Sequence, residues 1–435
     1  MADSLRIALA GLGNVGGGVI RLLDENGPLI AARAGRPIEV VAVSARDRNK
    51  DRGFDLGRFA WEDDMTAFAG RDDIDVVVEL VGGADGPALA LTRRALAGGK
   101  GVVTANKAMI AHHGLELAEA AEAAGVALRF EAAVAGGIPV ISALREGAAA
   151  NRITGVFGIL NGTCNYILSK MESTGADFGD VLGEAQALGY AEADPTFDVE
   201  GVDAAHKLAI LAALAFGTRL DFGGIAISGI SRIRAADIAQ ADALGYVIRL
   251  IGVADCAGGK LFQRVAPCLV PRGHPLAAVT GATNAVVATG NFAGPLLFQG
   301  AGAGDGPTAS AVVADLIDIA RVGARGGASK PFSLPVAMLT EAAAADSGQR
   351  ISRAYIRFLV ADRPGVLAEI TAAMRDAGVS IESLMQQGQP DTTGDPVLVA
   401  MVTHDGPEQA VARALDLLAG SPALAEDPLV MRLLG

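Results

Sequence analysis

The chain has 435 residues, 36 of them basic and 49 acidic, and its formal net charge of −13 argues against nucleic acid as a partner. Half of the residues are apolar, yet no apolar run is long enough to cross a bilayer, so no membrane partner is expected. Three cysteines, Cys164, Cys256 and Cys268, lack paired spacing, which points to a reducing compartment and no disulfide frame.

The opening stretch MADSLRIALAGLG reads as a first strand rather than an export signal, so a cytoplasmic protein is expected. Residues 5–10 (LRIALA) are that strand, and GLGNVGGG leads from it into the helix VIRLLDEN. Gly11, Gly13 and Gly16 form G-x-G-x-x-G between strand and helix. The first glycine makes the tight turn, the second admits a pyrophosphate, and the third lets helix and strand pack closely. Backbone N–H groups at the helix start then hold the phosphates of a dinucleotide.

A second strand spans 38–46 and ends in Ser44, Ala45, Arg46, Asp47 and Arg48, with Lys50 beyond. An NAD enzyme usually carries an acid there for the ribose hydroxyls. Basic side chains suit a 2′-phosphate, so NADP is favoured with NAD also usable; a solvated loop is the plainer reading. Residues 74–83 make a third, buried strand, and a helix runs from about Gly86 to Ala97. Residues 101–110 are a fourth strand breaking into a helix, which puts Thr104, Asn106 and Lys107 at a strand's carboxyl end, where such sheets bind ligands. His112 and His113 are adjacent on a helix and diverge, so they are not paired as ligands. Residues 126–147 read as strand, glycine turn and helix, with Pro139 near the helix start. Turn carbonyls between Val134 and Ile138, near Glu131, offer oxygen to a hard cation, though the sequence alone gives this little weight.

From Arg152 a strand, a polar turn and a helix follow in RITGVFGILNGTCNYILSKM, then a helix in ADFGDVLGEAQALG. Residues 189–211, GYAEADPTFDVEGVDAAHKLAIL, are the most informative in the chain. Five carboxylates, Glu192, Asp194, Asp198, Glu200 and Asp203, fall within twelve residues. A helix begins near Gly201, and Asp203 and Lys207 are i and i+4, on one face of it. An arbitrary pair of this kind is a weak surface ion pair. Here the almost wholly apolar LAILAALAFG that follows predicts burial, and a buried lysine beside carboxylates is a candidate proton donor. A divalent metal is the weaker reading of the loop, because no His or Cys joins at ligand spacing.

Residues 225–300 alternate strand-like runs with turns and predict a sheet with helices over it, a substrate and subunit-contact domain. GAGAGDGPTASAVVADLIDIAR (300–321) is a second glycine loop opening a helix, with Thr308 as the expected N-cap. Residues 326–349 read as a connector with a short helix. From Arg353 the order is βαββαβ, a split-βαβ module whose hairpin turn is expected around 390–395. The expected architecture is therefore α/β: a Rossmann-type parallel sheet in 1–130, completed by about 300–345; an α+β substrate and dimerisation domain in 131–300; and a small βαββαβ domain in 350–435.

Taken together, GLGNVG, VTANKA, EAAVAGGIPV, GILNGTCNYIL, GYAEADPTFDVEGVDAAHK and GAGAGDGPTASAVVADL resemble homoserine dehydrogenase, in that family's order and over nearly all of residues 5–345. The tail from about 353 resembles an ACT domain, the amino-acid-sensing module, with DRPGVL matching its effector loop and Gly365 in the turn. The resemblance implies reversible NAD(P)-dependent reduction of L-aspartate 4-semialdehyde to L-homoserine, in threonine, methionine and isoleucine biosynthesis. It implies that Glu192 and Asp203 hold the substrate's amino group, that Lys207 is the proton donor, and that Lys107 touches cofactor and substrate. Gly13, Asn14 and Val15 would lie on the cofactor, with Gly189 and Gly304 closing over it. A structural sodium ion would sit on Glu131 and the backbone at Val134, Gly136 and Ile138. Threonine is the effector implied for the tail, and a homodimer or homotetramer the implied assembly. The chain departs from the family at Cys164, where threonine is usual. A thiol nucleophile needs an activating base, and no histidine lies near Cys164 in sequence, so packing is the better reading. A non-catalytic amino-acid sensor that retains the cofactor fold is the alternative from another class.

Overall fold

The computed structural model describes residues 3–322, 330–387 and 396–434. Its N-terminal strands are mostly apolar and, in the middle of the sheet, buried on both faces. They are β1 (Leu5–Ala10), β2 (Ile38–Ser44), β3 (Ala60–Trp61), β4 (Val76–Glu79), β5 (Gly101–Thr104) and β6 (Leu128–Arg129). They form one parallel sheet in the order β3-β2-β1-β4-β5-β6, the arrangement of a doubly wound nucleotide-binding sheet. The crossover helices are α1 (Asn14–Ala34), α2 (Pro87–Ala97) and α3 (Lys107–Ala124). A short helix α4 (Val140–Ser142) continues into a single π-type turn over Ala143–Gly147.

The next segment carries β7 (Ile153–Ile159), α5 (Gly162–Thr174), α6 (Phe178–Ala187), α7 (Thr196–Val199), α8 (Val202–Phe216), β8 (Ala226–Ile227) and α9 (Ala235–Ala243). β9 (Tyr246–Ala257), β10 (Lys260–Pro271), β11 (Thr283–Gly290) and β12 (Gly294–Ala301) complete it. β7, β9, β10, β11 and β12 pair antiparallel, with α5, α8 and α9 packed on them. α8 is buried over nearly its whole length, as expected for a helix apolar all round. α10 (Asp305–Val322) then returns to the N-terminal unit and lies along α1, with Ala309, Val312 and Leu316 in the core that holds Val19 and Ile20. It begins at Asp305, so Thr308 sits inside its first turn and is not the N-cap. Pro307 in that first turn already marks an earlier start.

Beyond residue 330 the connector holds short 3-10 turns and β13 (Ala343–Ala344), while residues 326–329 of it lie outside the described residues. β14 (Ile351–Ser352), β15 (Ala354–Val360), α11 (Val366–Asp376), β16 (Ile381–Gln387), β17 (Val397–Thr403), β18 (Gly406–Pro407), α12 (Glu408–Leu418) and β19 (Leu429–Leu433) follow. The order βαββαβ expected from the sequence is present, and its hairpin turn around 390–395 lies outside the described residues. The tail has its own apolar core around Phe358, Ile370, Met374 and Val399. Its sheet joins the middle one: β19 pairs parallel with β10 at Cys268–Arg432 and Leu269–Leu433, so the strands run β12-β11-β7-β9-β10-β19-β15-β17-β16. Among the described residues no helix is long and apolar enough to cross a membrane.

Candidate active site

Two neighbouring features of the glycine loop decide what it can bind. A Cβ on Gly16 would lie 2.1 Å from the Gly11 carbonyl oxygen, so only glycine lets α1 start this close to β1. A Cβ on Gly13 would meet nothing within 4 Å, which leaves the backbone open on the ligand side. No side chain caps α1, so its first N–H groups, at Asn14 and Val15, are available to an anion. Gly11, Leu12, Gly13, Ser44, Arg46, Asp47, Lys50 and Arg52 line a cavity of about 590 Å³ beside this loop. Arg52 fixes its wall: Nε donates to the Leu12 carbonyl at 3.1 Å, and Nη1 and Nη2 to the carbonyls of Lys50 and Asp47 at 2.8 and 2.6 Å. Arg46 and Lys50 are exposed there. Thr104, at the end of β5, is fully buried, and its hydroxyl donates to Glu79 at 2.6 Å. Thr104 is not among the residues that line this cavity.

A second cavity of about 560 Å³ lies where the nucleotide-binding unit meets the middle segment. Val15, Lys107, Gly136, Gly189, Gly304 and Thr308 line it together with Asn161, Asp198, Asp203 and Lys207. Asn106 caps α3 by accepting the Met109 N–H at 3.0 Å, which places Lys107 in the first turn of that helix. Gly201, in the left-handed conformation, opens α8 and brings Asp203 into its first turn, where a negative charge suits the helix dipole. The two helices converge on the Asp203 carboxylate. Oδ1 accepts from Lys107 Nζ at 2.9 Å, and Oδ2 accepts from Lys207 Nζ at 2.7 Å and Asn161 Nδ2 at 2.8 Å. Lys207 Nζ also donates to the Leu160 carbonyl at 2.8 Å.

Exposure differs across this cluster. The side chains of Asp203 and Lys207 are 3 % and 10 % exposed, while that of Lys107, which also lines the cavity, is 35 % exposed. Burial opposes the charge on Asp203, but Lys207 and Lys107 overcome it and hold its pKa far below the ordinary carboxylate value. Burial likewise opposes the charge on Lys107, and Asp203 outweighs it, so that ammonium is held above its ordinary value. Asp198 is pushed up by burial and by Asp203, and accepts from Asn161 Nδ2 at 2.7 Å. Such a cluster can bind an amino group with its carboxylates and move a proton at a developing alkoxide with an ammonium.

Glu192 stands apart from this knot, on the exposed loop after Gly189, with its charge still felt by Lys107. Sequence reading left Asn161 and Asp198 without roles; the polar turn NGTC before a helix was the available signal for Asn161. The adjacent histidines do diverge: His112 meets His206 at 3.0 Å, while His113 meets Asp85 at 2.9 Å. Cys164 is fully buried, its Sγ 3.1 Å from the Asp198 carbonyl, and burial drives the thiol pKa well up, the opposite of an activated nucleophile. Glu131 is buried, and its carboxylate oxygens accept N–H from Ile141 at 2.9 Å and Ser142 at 2.8 Å. The Ile138 carbonyl accepts from Val140 N at 2.7 Å, and Ala135 and Gly136 hold the intervening turn in left-handed conformations, φ 57° and 52°. Among the described residues no three His, Cys, Asp or Glu side chains gather as metal ligands.

Comparison with known proteins places this geometry. The family model for homoserine dehydrogenase matches residues 139–317, its NAD-binding domain matches residues 11–131, and the ACT domain matches residues 354–418. The homoserine dehydrogenase of Pseudomonas aeruginosa is 46 % identical over 421 residues, covering 95 % of each chain. The chain belongs to the homoserine dehydrogenase family. A crystal structure of a homoserine dehydrogenase from Thiobacillus denitrificans superposes with a TM-score of 0.92 at 43 % identity, covering 99 % of this chain and 98 % of that one. The Staphylococcus aureus homoserine dehydrogenase solved at pH 6.0 gives a TM-score of 0.76 at 32 % identity, covering 100 % and 99 %. The activity is that of a homoserine dehydrogenase, an oxidoreductase with a nicotinamide cofactor, and the tail is an ACT domain.

Proposed function

We propose that the protein interconverts L-aspartate 4-semialdehyde and L-homoserine at the Lys107–Asp203–Lys207 cluster, preferring NADP and still accepting NAD. One observation carries this reading: a buried carboxylate held by two lysines from different helices, in a cavity that Val15 of the glycine loop also lines. The nicotinamide, when bound, supplies or takes the hydride at the carbonyl carbon. Lys207 gives the proton to the alkoxide oxygen in reduction and takes it back in oxidation, with Asp203 orienting its ammonium. Asp203 and Glu192 hold the substrate's amino group, and Lys107 bridges the substrate and cofactor sides. Gly11, Gly13, Asn14, Val15, Gly16, Thr104, Gly189 and Gly304 make the cofactor surface. The NADP preference rests on Arg46 and Lys50 in the cavity wall beside the glycine loop; the acids that line it, Asp47, Asp63 and Asp64, each accept a bond from a neighbour, the Asn49 N–H at 2.8 Å, Trp61 Nε1 at 2.7 Å and the Thr66 N–H at 2.9 Å.

A sodium ion belongs to the proposal on donor chemistry alone. Each Glu131 oxygen keeps a lone pair beyond its one N–H, and backbone oxygens at Val134, Gly136 and Ile138 suit a hard cation. Residues 1–130, completed by about 300–345, serve the cofactor; residues 131–300 serve substrate and dimerisation; residues 350–435 regulate. In support, α10 packs on α1 and the tail has its own core. Threonine is the proposed effector, a homodimer or homotetramer the proposed assembly, and the cytoplasmic synthesis of threonine, methionine and isoleucine the proposed setting.

The test is oxidation of L-homoserine by the purified protein, with NADP and NAD in parallel and Lys207→Ala alongside. Turnover that favours NADP and is lost in the variant supports the reading; equal turnover by the variant refutes the role of Lys207. Deleting residues 350–435 should keep turnover and remove threonine inhibition, and inhibition that persists would refute regulation through the tail.

A further inference from the structure

Asn161 bonds two of the carboxylates of the site, Asp198 and Asp203. It precedes α5 and is 4 % exposed. Its Oδ1 accepts the Cys164 N–H at 2.8 Å and so caps α5. Its Nδ2 donates to Asp198 Oδ1 at 2.7 Å and to Asp203 Oδ2 at 2.8 Å, which uses both amide hydrogens. One neutral side chain thus ties the start of α5 to a carboxylate before α8 and to another inside it.

The geometry has a chemical consequence. Asp203 Oδ2 is the oxygen that also accepts from Lys207, while Oδ1 faces Lys107. A carboxylate held only by two flexible ammonium groups can turn about its own axis; the amide, anchored to a helix start, removes that freedom. Two carboxylates bonded to the same NH2 group also repel each other, and the amide hydrogens between them offset the repulsion without adding charge.

We propose that Asn161 is a positioning residue for the reaction: by holding Asp203 and Asp198 through Nδ2, it fixes the direction from which Lys207 delivers its proton. The inference rests on the assignment of Asp203 and Lys207 above. A misplacement of about 1 Å at such a site costs on the order of 10²-fold in rate.

Two substitutions separate this role from capping. In Asn161→Ser the hydroxyl oxygen can still cap α5, but the two amide hydrogens are gone; in Asn161→Ala both functions are lost. Homoserine oxidation is measured across pH for both variants, for Asp203→Asn and for wild type, with thermal unfolding and NADPH fluorescence to report folding and cofactor binding. The expected result is a fall in kcat on the order of 10²-fold in both Asn161 variants. The KM for NADP stays near wild type, and the acid limb of the kcat profile moves to higher pH because the carboxylates have lost donors that favour their charged form. Asn161→Ser with wild-type kcat and an unmoved acid limb, beside an impaired Asn161→Ala, would leave capping as the whole role and overturn the proposal. Wild-type turnover in Asp203→Asn would instead remove the site assignment on which it rests. If neither Asn161 variant folds, Asn161→Asp provides the test: it keeps the cap acceptor and replaces the donor with an acceptor, and wild-type turnover by it overturns the proposal.

Discussion

Lys207→Met and Asp203→Leu should separate the chemistry of the site from its stability. Lys207 is 10 % exposed at its side chain and donates to Asp203 and to the Leu160 carbonyl. Methionine fills most of the same volume without charge. It strands no partner: Asp203 keeps Lys107 and Asn161, and the Leu160 carbonyl keeps Asn284 Nδ2 at 2.9 Å. The expected loss of stability is therefore about 1–3 kcal/mol, the scale of hydrogen bonds to a charged group. Loss of the proton donor should lower kcat by about 10²- to 10⁴-fold, or about 3–5 kcal/mol in the barrier. Asp203→Leu reverses the balance. It leaves the Lys207 ammonium buried against a single carbonyl, and Lys107 without its carboxylate, at a cost of about 3–5 kcal/mol. Steady-state kinetics and urea unfolding on the same preparations measure both quantities. Lys207→Met with kcat within tenfold of wild type would refute the proton-transfer role. Equal destabilisation by the two variants would refute the argument that the partners of Lys207 are satisfied without it.

Burial, with a contribution from His112, lowers the His206 pKa from 6.5 to about 4, so it stays neutral while the unfolded chain takes up a proton. Stability linked to it is then lost as pH falls from about 6.5 to about 4, and wild type should lose up to about 3 kcal/mol more than His206→Phe over that window; parallel urea profiles would contradict this. Gly16→Ala places a methyl 2.1 Å from the Gly11 carbonyl and should abolish tight nucleotide binding, read by NADPH fluorescence, where wild-type affinity would refute the close-approach argument. Cys164→Ser should keep turnover within about threefold of wild type, since the buried thiol has no activating base; loss of activity without loss of folding would reopen a covalent role. Arg357 is 1 % exposed and pairs across the tail seam with the fully buried Asp237, which also accepts from Tyr355 Oη at 2.9 Å. Arg357→Met should cost about 3–5 kcal/mol with much of it recovered in Arg357→Met/Asp237→Asn, and a double variant no more stable than the single would refute the seam as an ion pair.

What was legible in the sequence is what short spacing records. G-x-G-x-x-G is a steric demand within six residues, and the Gly16–Gly11 approach shows that demand met. Asp203 and Lys207 are one helical turn apart, and the apolar run after them announced a buried helix. Thr308 shows the limit: the residue type was right for a cap, but the helix had already begun at Asp305. The joining of the tail's sheet to the middle one was not readable, because β10 and β19 are more than 150 residues apart and each is only a plausible strand by itself.

The site's missing parts have the same cause. Lys107 stands at the start of α3 because Asn106 caps it there, and nothing within that segment says that α8 will bring a carboxylate to 2.9 Å. Asn161 carries no charge and sits in a turn where asparagine is ordinary, so its sequence context distinguishes it only as a cap. Its second role depends on two carboxylates that lie 37 and 42 residues further along the chain. A carboxylate made from one helix's own lysine is visible in sequence; the same carboxylate shared with a second helix and a turn exists only after three segments have packed. That sharing is what keeps Asp203 charged at 3 % exposure, since its two ammonium partners and one amide offset the cost of burial.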